Sequence, residues 1–345
     1  MNGPCRLLVV DDSKIMRRLI TGLFDADDKI QVVGEAVDGI EALACVSRLA
    51  PDVITLDINM PGMDGLTTLK HLMIRNPKPT VMLSTLTREG ERTTFDALRY
   101  GAVDFITKPT RLDGGELEAQ AHDIIAKVNL AAAVALDSVC YIRAKPRDKV
   151  AAPLAPRRCH RVVAFGAAEG GYGALLKIIP QLRPNSAAAY LAVLYAAPPH
   201  VEAFARYLDD YSGVKVKRAV DGELVEGGVC YLGAGVEYLT VAARDDRLVL
   251  QVHRAPFASR RGSIDRLMFS VAEAMKGRSA GVVLSGSGED GSEGLEEIHR
   301  MDGIAIVQDP QSCLHKDMAQ AALARCHPDF VLSDVKVATV VNGLS

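Results

Sequence analysis

The sequence predicts an α/β protein of two domains, each built on a parallel or mainly parallel sheet. Three observations carry this. The chain has 345 residues, the size of two ordinary domains rather than one. Short, nearly continuous apolar runs alternate with amphipathic stretches, the pattern of strands covered on both faces by helices. The alternation breaks once, where an alanine-rich patch leads into YIRAKPRDKVAAPLAPRRCH, rich in proline and mixed charge and without periodicity. The chain therefore divides into a first domain over 1–128, a linker over 129–160 and a second domain over 161–345.

In the first domain, strands read as LLVV (7–10), VVGE (32–35), VITL (53–56), VMLS (81–84) and VDFI (103–106). After the first of them, Ile15, Met16, Leu19, Ile20, Leu23 and Phe24 recur at helical spacing, and a last helix is expected near 112–128. Five such units make a five-stranded, doubly wound parallel sheet of flavodoxin-like type. In the second domain, apolar runs appear at VVAF (162–165), YLAVLY (190–195), VCYL (229–232), LVLQV (248–252), GVVL (281–284), IAIV (304–307) and FVLS (330–333). They predict a larger, Rossmann-like unit with a mainly parallel sheet. Between about 214 and 252 the strands are closely spaced with Gly-rich turns, so an antiparallel patch is expected there.

Composition narrows the function. A formal charge of -3 with 24% charged residues gives no electrostatic case for nucleic-acid or membrane binding. The longest apolar stretch, near 187–199, falls short of the roughly 20 residues a bilayer span needs. It reads as a buried strand, and no membrane insertion is expected. CRLLVV, at the start, is too short and too soon interrupted by charge for a signal peptide. The seven cysteines include no CxxC pair, which argues against a disulfide framework or a cysteine metal site and for a reducing, cytoplasmic setting.

Acidic and basic residues collect at predicted strand ends. Asp11 and Asp12 follow LLVV, and Asp57 follows VITL. In an open α/β sheet, ligands gather beyond the carboxyl ends of the strands. Carboxylates brought together there repel unless a hard cation neutralises them, so Mg2+ is expected. Ser84 ends VMLS and can hydrogen-bond a phosphoryl oxygen; Lys108, before Pro109, places an ammonium beside Asp57. The turn DINMPGMDG lets the Asn59 backbone carbonyl join the metal shell. With these motifs, residues 5–125 resemble a two-component receiver domain. The resemblance implies phosphorylation at Asp57 by a histidine kinase of the CheA type, with Mg2+ on Asp11 and Asp12. It also implies phosphoryl contacts from Ser84 and Lys108, and Phe105 as the switch aromatic.

VVAFGAAEGG, the Pro198–Pro199 step, GSIDRLMFSVA, GVVLSGSGEDG and VQDPQSC occur in order further along. Through them, residues 161–340 resemble the catalytic domain of the CheB-type chemotaxis protein-glutamate methylesterase and glutamine deamidase. That family uses a serine–histidine–aspartate triad. Its G-A-S-T-G-G turn reads Gly166-Ala167-Ala168-Glu169-Gly170-Gly171 here, so Ala168 stands at the serine and Glu169 at the threonine. Its histidine precedes a Met-Pro-Pro step, and Ala196 stands there. Asp290 matches the aspartate, and Ser287 replaces a methionine of the oxyanion loop. Gly262 and Asp317-Met318-Ala319 depart from the family as well.

A methyl group cannot attack a carbonyl, and without imidazole no base activates a neighbour. Asp290 is then left with a turn- or helix-capping role, and Glu169 is expected beside it, adding repulsion. Gly170 and Gly171 are expected to offer an N–H cradle at a helix start, with Arg260 and Arg261 as a basic patch for a carboxylate or an acidic receptor surface. The favoured function is a phosphorylation-gated binding module without hydrolysis, whose partners are the kinase and methyl-accepting chemoreceptors or another signalling protein. Two alternatives stand beside it: a hydrolase rearranged around Ser285 or Ser287, and a phosphate sink.

Overall fold

The computed structural model describes residues 3–25, 27–84, 88–108, 115–134, 157–245, 247–254 and 262–344. Two compact units, Met1–Arg143 and Ala144–Ser345, make up the chain.

The first unit holds β1 (Cys5–Val10), β2 (Ile30–Ala36), β3 (Val53–Asp57), β4 (Thr80–Ser84) and β5 (Asp104–Thr107) in the order β2-β1-β3-β4-β5, all neighbours parallel. Between them run α1 (Lys14–Phe24), α2 (Gly39–Leu49), α3 (Gly65–Arg75), α4 (Arg88–Arg99) and α5 (Gly115–Ala132). Local chemistry fixes the helix starts. Ser13, Asp38 and Asp64 each accept a hydrogen bond from an N–H three residues on, satisfying donors the helix cannot. Leu7 to Val10, Ile54, Leu56 and Val81 to Leu83 are buried, as strands covered on both faces require. Of the apolar stripe on α1, Ile20 and Phe24 are buried; Ile15, in the first turn, is 64% exposed.

The second unit carries a seven-stranded sheet: β6 (Arg161–Ala167), β7 (Ala188–Leu194), β8 (Lys215–Arg218), β9 (Val229–Ala234), β12 (Ser279–Val283), β13 (Ile304–Gln308) and β14 (Phe330–Leu332). Its order is β14-β13-β12-β6-β7-β9-β8, and every neighbouring pair is parallel. A separate antiparallel hairpin joins β10 (Glu237–Arg244) to β11 (Arg247–Arg254). The antiparallel patch expected over 214–252 is this hairpin together with an antiparallel bridge from Leu224 to Val249, whereas β8 and β9 run parallel in the main sheet. The sequence blurs them because β10 is buried on one face only, at Leu239 and Val241, whereas β9 is buried almost throughout.

Among the described residues, the helices that cover this sheet are α6 (Gly171–Ile178), α7 (Pro198–Tyr211), α8 (Ser263–Met275), α9 (Ser292–Arg300), α10 (Asp317–Arg325) and α11 (Asp334–Gly343). Pro198 and Pro199 open α7, where a missing N–H costs nothing. Leu191, Tyr231, Leu267, Met268 and Ile298 pack into one core between sheet and helices. Among the described residues, no helix is long and apolar enough to cross a membrane.

Candidate functional sites

The first site forms where β1 and β3 end side by side, with Val10 opposite Leu56. Asp11, Asp12 and Asp57 each bring a carboxylate oxygen within 4.8 Å of the others. Asp11 and Asp57 are buried and Asp12 is exposed. Lys108 reaches in from the end of β5, its Nζ 2.8 Å from Asp11 Oδ2 and 2.7 Å from Asp57 Oδ2. Burial pushes the Asp57 carboxyl above the usual carboxylate range; Lys108 and the Asn59 N–H oppose the rise, and Asp11 adds to it. The Asn59 N–H donates to Asp57 Oδ1 at 3.2 Å.

Three carboxylates thus crowd together, and Lys108 pairs with two of them. An all-oxygen, partly buried, over-negative donor set fits a hard divalent cation. Sequence reasoning passed over Gly65, which makes the tight turn after Asp57 possible. A Cβ there would lie 1.9 Å from the Asp57 carbonyl oxygen.

Ser84 and Phe105 face inward. The Ser84 hydroxyl lies 2.6 Å from the Thr94 hydroxyl of α4. Phe105 is buried edge-on to Phe95 at 6.1 Å, with Lys127 Nζ 5.3 Å from its ring and donating to its carbonyl at 2.7 Å. Thr94 carried no sequence signal: it is one polar residue within a helix.

The second site lies beyond the carboxyl ends of β6, β7 and β12. Ala168 follows β6, is buried, and gives its N–H to the Ser285 carbonyl at 3.0 Å. Gly170 has φ +78, and a Cβ there would meet Ser285 Oγ and Leu314 Cβ at 2.7 Å, so only glycine fits. The Gly171 N–H donates to the Ala168 carbonyl at 2.9 Å. Half of the expected N–H cradle is therefore spent inside the turn itself. Ala196 lies between β7 and α7.

Asp290 is buried and densely bonded. Its Oδ2 accepts from the Tyr195 hydroxyl and from the Ile264 N–H at 3.0 Å, and its Oδ1 from the Asp265 N–H at 3.0 Å. It thus caps the start of α8 from another loop. Asp265 returns the favour, since its Oδ1 accepts the Gly294 N–H of α9 at 2.7 Å. Asp290 thus sits at the positive end of α8 and Asp265 at that of α9. The Asp265 carboxyl is pushed up to about 7, first by burial and then by the Asp290 charge, against the Gly294 hydrogen bond. Burial and then the Asp290 charge raise the Tyr195 phenol above its ordinary range. Neither Tyr195 nor Asp265 stood out in the sequence as a partner of Asp290.

The two serines differ. The Ser285 hydroxyl donates to the Glu169 carbonyl at 2.8 Å and accepts from the His315 N–H at 2.9 Å, tying three loops together. Ser287 is exposed; its N–H and hydroxyl both donate to Glu169 Oε2, at 3.0 and 2.8 Å. Burial would raise the Glu169 carboxyl, but the Ser287 donors, its own N–H and the His315 charge hold it below the usual range. Glu169 was expected to confront Asp290. It turns to Ser287 instead, because paired N–H and O–H donors stabilise a carboxylate and a second acid repels it. Arg260 and Arg261 lie outside the described residues.

Comparison with known proteins agrees with both halves. Residues 163–341 match the family described as CheB methylesterase, and residues 7–127 match the response regulator receiver domain. A protein-glutamate methylesterase/protein-glutamine glutaminase of Pyrococcus abyssi is 37% identical over 98% of this chain and 93% of its own. One of Halalkalibacterium halodurans is 36% identical, over 94% of each chain. Among solved structures, the Thermotoga maritima CheB methylesterase catalytic domain superposes with a TM-score of 0.52 at 27% identity, covering 54% of this chain and 98% of that one. The chain belongs to the CheB methylesterase family, as a response regulator that joins an N-terminal receiver domain to a methylesterase domain.

Proposed function

We propose that this chain is a chemotaxis response regulator phosphorylated on Asp57, whose second domain works as a phosphorylation-gated binding module and does not hydrolyse esters. The observation that carries the second half is the state of Asp290. Its oxygens are given to the Tyr195 hydroxyl and to two N–H groups of α8. At the matched positions of nucleophile and base stand Ala168 and Ala196, whose methyl groups neither attack a carbonyl nor move a proton.

In the receiver, an Asp57 carboxylate oxygen attacks the phosphorus of a kinase phosphohistidine. The P–N bond breaks and the imidazole leaves. Asp11, Asp12 and Asp57 would hold Mg2+, with the Asn59 carbonyl, and the ion would offset the charge of the incoming phosphoryl group. Lys108, which now bridges Asp11 and Asp57, pairs with a phosphoryl oxygen once Asp57 is esterified. Ser84 exchanges Thr94 for another phosphoryl oxygen, which disturbs the wall against which Phe105 packs. The partners are a CheA-type histidine kinase and, for the second domain, the methyl-accepting chemoreceptors or another protein of that pathway. The curated relatives are named for action on protein glutamate and glutamine.

One observation favours the hydrolase alternative: the Ser287 hydroxyl is already paired with a carboxylate at 2.8 Å. The same geometry weakens it, because a carboxyl held below its ordinary range is a poor proton acceptor. The deciding experiment is methanol release from methylated chemoreceptor membranes, with and without beryllofluoride and Mg2+. The native chain is expected to be silent; release that depends on Asp290 or Ser287 would sink the proposal. For the phosphate-sink alternative the test is deletion of residues 161–345, which should reproduce the full knockout if binding is the function.

A further inference from the structure

We infer that Glu169 is a resident occupant of the acyl position in the second domain and Tyr195 of the imidazole position, so that the site is closed rather than merely emptied. The inference rests on the reading that the domain does not hydrolyse, and it names the residues that keep it from doing so besides Ala168 and Ala196.

The geometry begins at Gly286. A Cβ there would lie 2.7 Å from the Ala168 Cβ and 3.2 Å from the Ala168 nitrogen. The backbone leading into Ser287 therefore passes directly against the Ala168 methyl. An ester attacked by a nucleophile on residue 168 would develop its oxyanion beside that loop. It would need backbone N–H donors at about 2.7–3.1 Å. The Ser287 N–H is given to Glu169 Oε2 at 3.0 Å, and the Ser287 hydroxyl points to the same oxygen at 2.8 Å.

Glu169 carries a γ-carboxylate, the group that hydrolysis of a glutamyl ester leaves behind. The chain thus seats its own copy of the product group on the donors an incoming ester would use. A fixed negative charge at this point also repels a free glutamyl carboxylate. The charge is stable, since the donors and His315 outweigh the cost of burial.

The second position is filled the same way. A histidine at 196 would need an oxygen of Asp290 to set its tautomer and orientation. Tyr195 holds that oxygen through its hydroxyl. Its ring lies against Gly235, where a Cβ would come within 2.0 Å of Tyr195 Cδ1, so the ring has no room to withdraw that way.

The test uses the full chain with beryllofluoride and Mg2+, and reads hydrolysis of p-nitrophenyl acetate alongside methanol release from methylated receptor membranes. Ala168→Ser/Ala196→His is expected to stay close to blank. Adding Glu169→Thr should raise its rate by about a hundredfold, the worth of one freed oxyanion donor. Adding Tyr195→Phe should raise it again and shift the pH–rate profile, as a histidine gains Asp290. A double revertant as fast as the Glu169→Thr version overturns the inference and leaves the binding-module reading intact. Methanol release by the native chain sinks that reading instead.

If no revertant folds or turns over, NMR of the native protein decides. The Ser287 amide proton should shift with pH as Glu169 titrates, below the ordinary glutamate range, and Glu169→Gln should abolish that shift. A Ser287 amide insensitive to pH over that range overturns the inference.

Discussion

Both domains place aspartates beyond the carboxyl ends of a parallel sheet, and the two sets have opposite fates. Asp11, Asp12 and Asp57 crowd together, Lys108 bridges Asp11 and Asp57, and Asp57 is raised by burial. Asp290 and Asp265 are instead fitted to N–H groups of α8 and α9, with Tyr195 completing Asp290. The first arrangement is left with negative charge to spare, which fits a hard divalent cation. In the second, both oxygens of Asp290 are spent on the fold. A carboxylate at a strand end is therefore a reaction centre or a clasp according to what has been left for it to bind.

The comparison breaks most sharply at Asp57. Asp57→Asn should reduce phosphoryl incorporation from a small-molecule donor to background, read on a phosphate-affinity gel. It should also stabilise the receiver, because a buried like charge is removed. Next in size is Lys108→Ala. With its cation gone, the buried pair should lose about 3 kcal/mol of stability when divalent cations are chelated. Mg2+ at a hundredfold excess over its dissociation constant should restore about 2.7 kcal/mol. Unchanged stability in both variants would mean the cluster is no more stressed than the clasp in the second domain.

Much of this contrast was legible in the sequence. Alternating apolar runs and helical stripes predicted both sheets, and carboxylates at strand ends predicted the acidic cluster, because parallel neighbours bring equivalent ends together. The clasp was not legible. Ser287 and Glu169 are 118 positions apart, and Tyr195 and Asp290 are 95 apart, with each contact set by how loops meet over the sheet. Glu169 was expected against Asp290 because charge repulsion can be read from a sequence, whereas a pair of donors on a distant loop cannot. The parallel pairing of β8 and β9 was hidden for a related reason. Closely spaced strands suggest hairpins until the return path is known.

If Asp290 is a clasp, its loss should appear as instability. Asp290→Ala removes acceptors for two N–H groups and a phenol and should cost about 2 kcal/mol, whereas Tyr195→Phe should cost about 1 kcal/mol. The chain has no tryptophan, so calorimetry or far-ultraviolet circular dichroism is the natural measurement. An Asp290→Ala variant as stable as the native chain would return Asp290 to the role of an idle catalytic remnant.

The smallest expected effect is a slope. Asp265 is pushed up to about 7 in the fold, against about 4 for an exposed aspartate. Between those values the folded state holds a proton that the unfolded state has lost, so the stability of the second domain should fall as pH rises from about 4 to about 7. Asp265→Asn should flatten that stretch of the profile, since asparagine has no proton to lose yet still offers an oxygen to the Gly294 N–H. In the receiver, Asp57 is raised as well, so without divalent cations its stability should also fall with rising pH. Mg2+ should abolish the receiver slope and leave the Asp265 slope untouched, because the first site gathers three carboxylates within reach of one cation, whereas Asp265 and Asp290 are bonded to helix N–H groups. Equal sensitivity of both slopes to Mg2+ would remove the distinction between a site held ready and a site already filled.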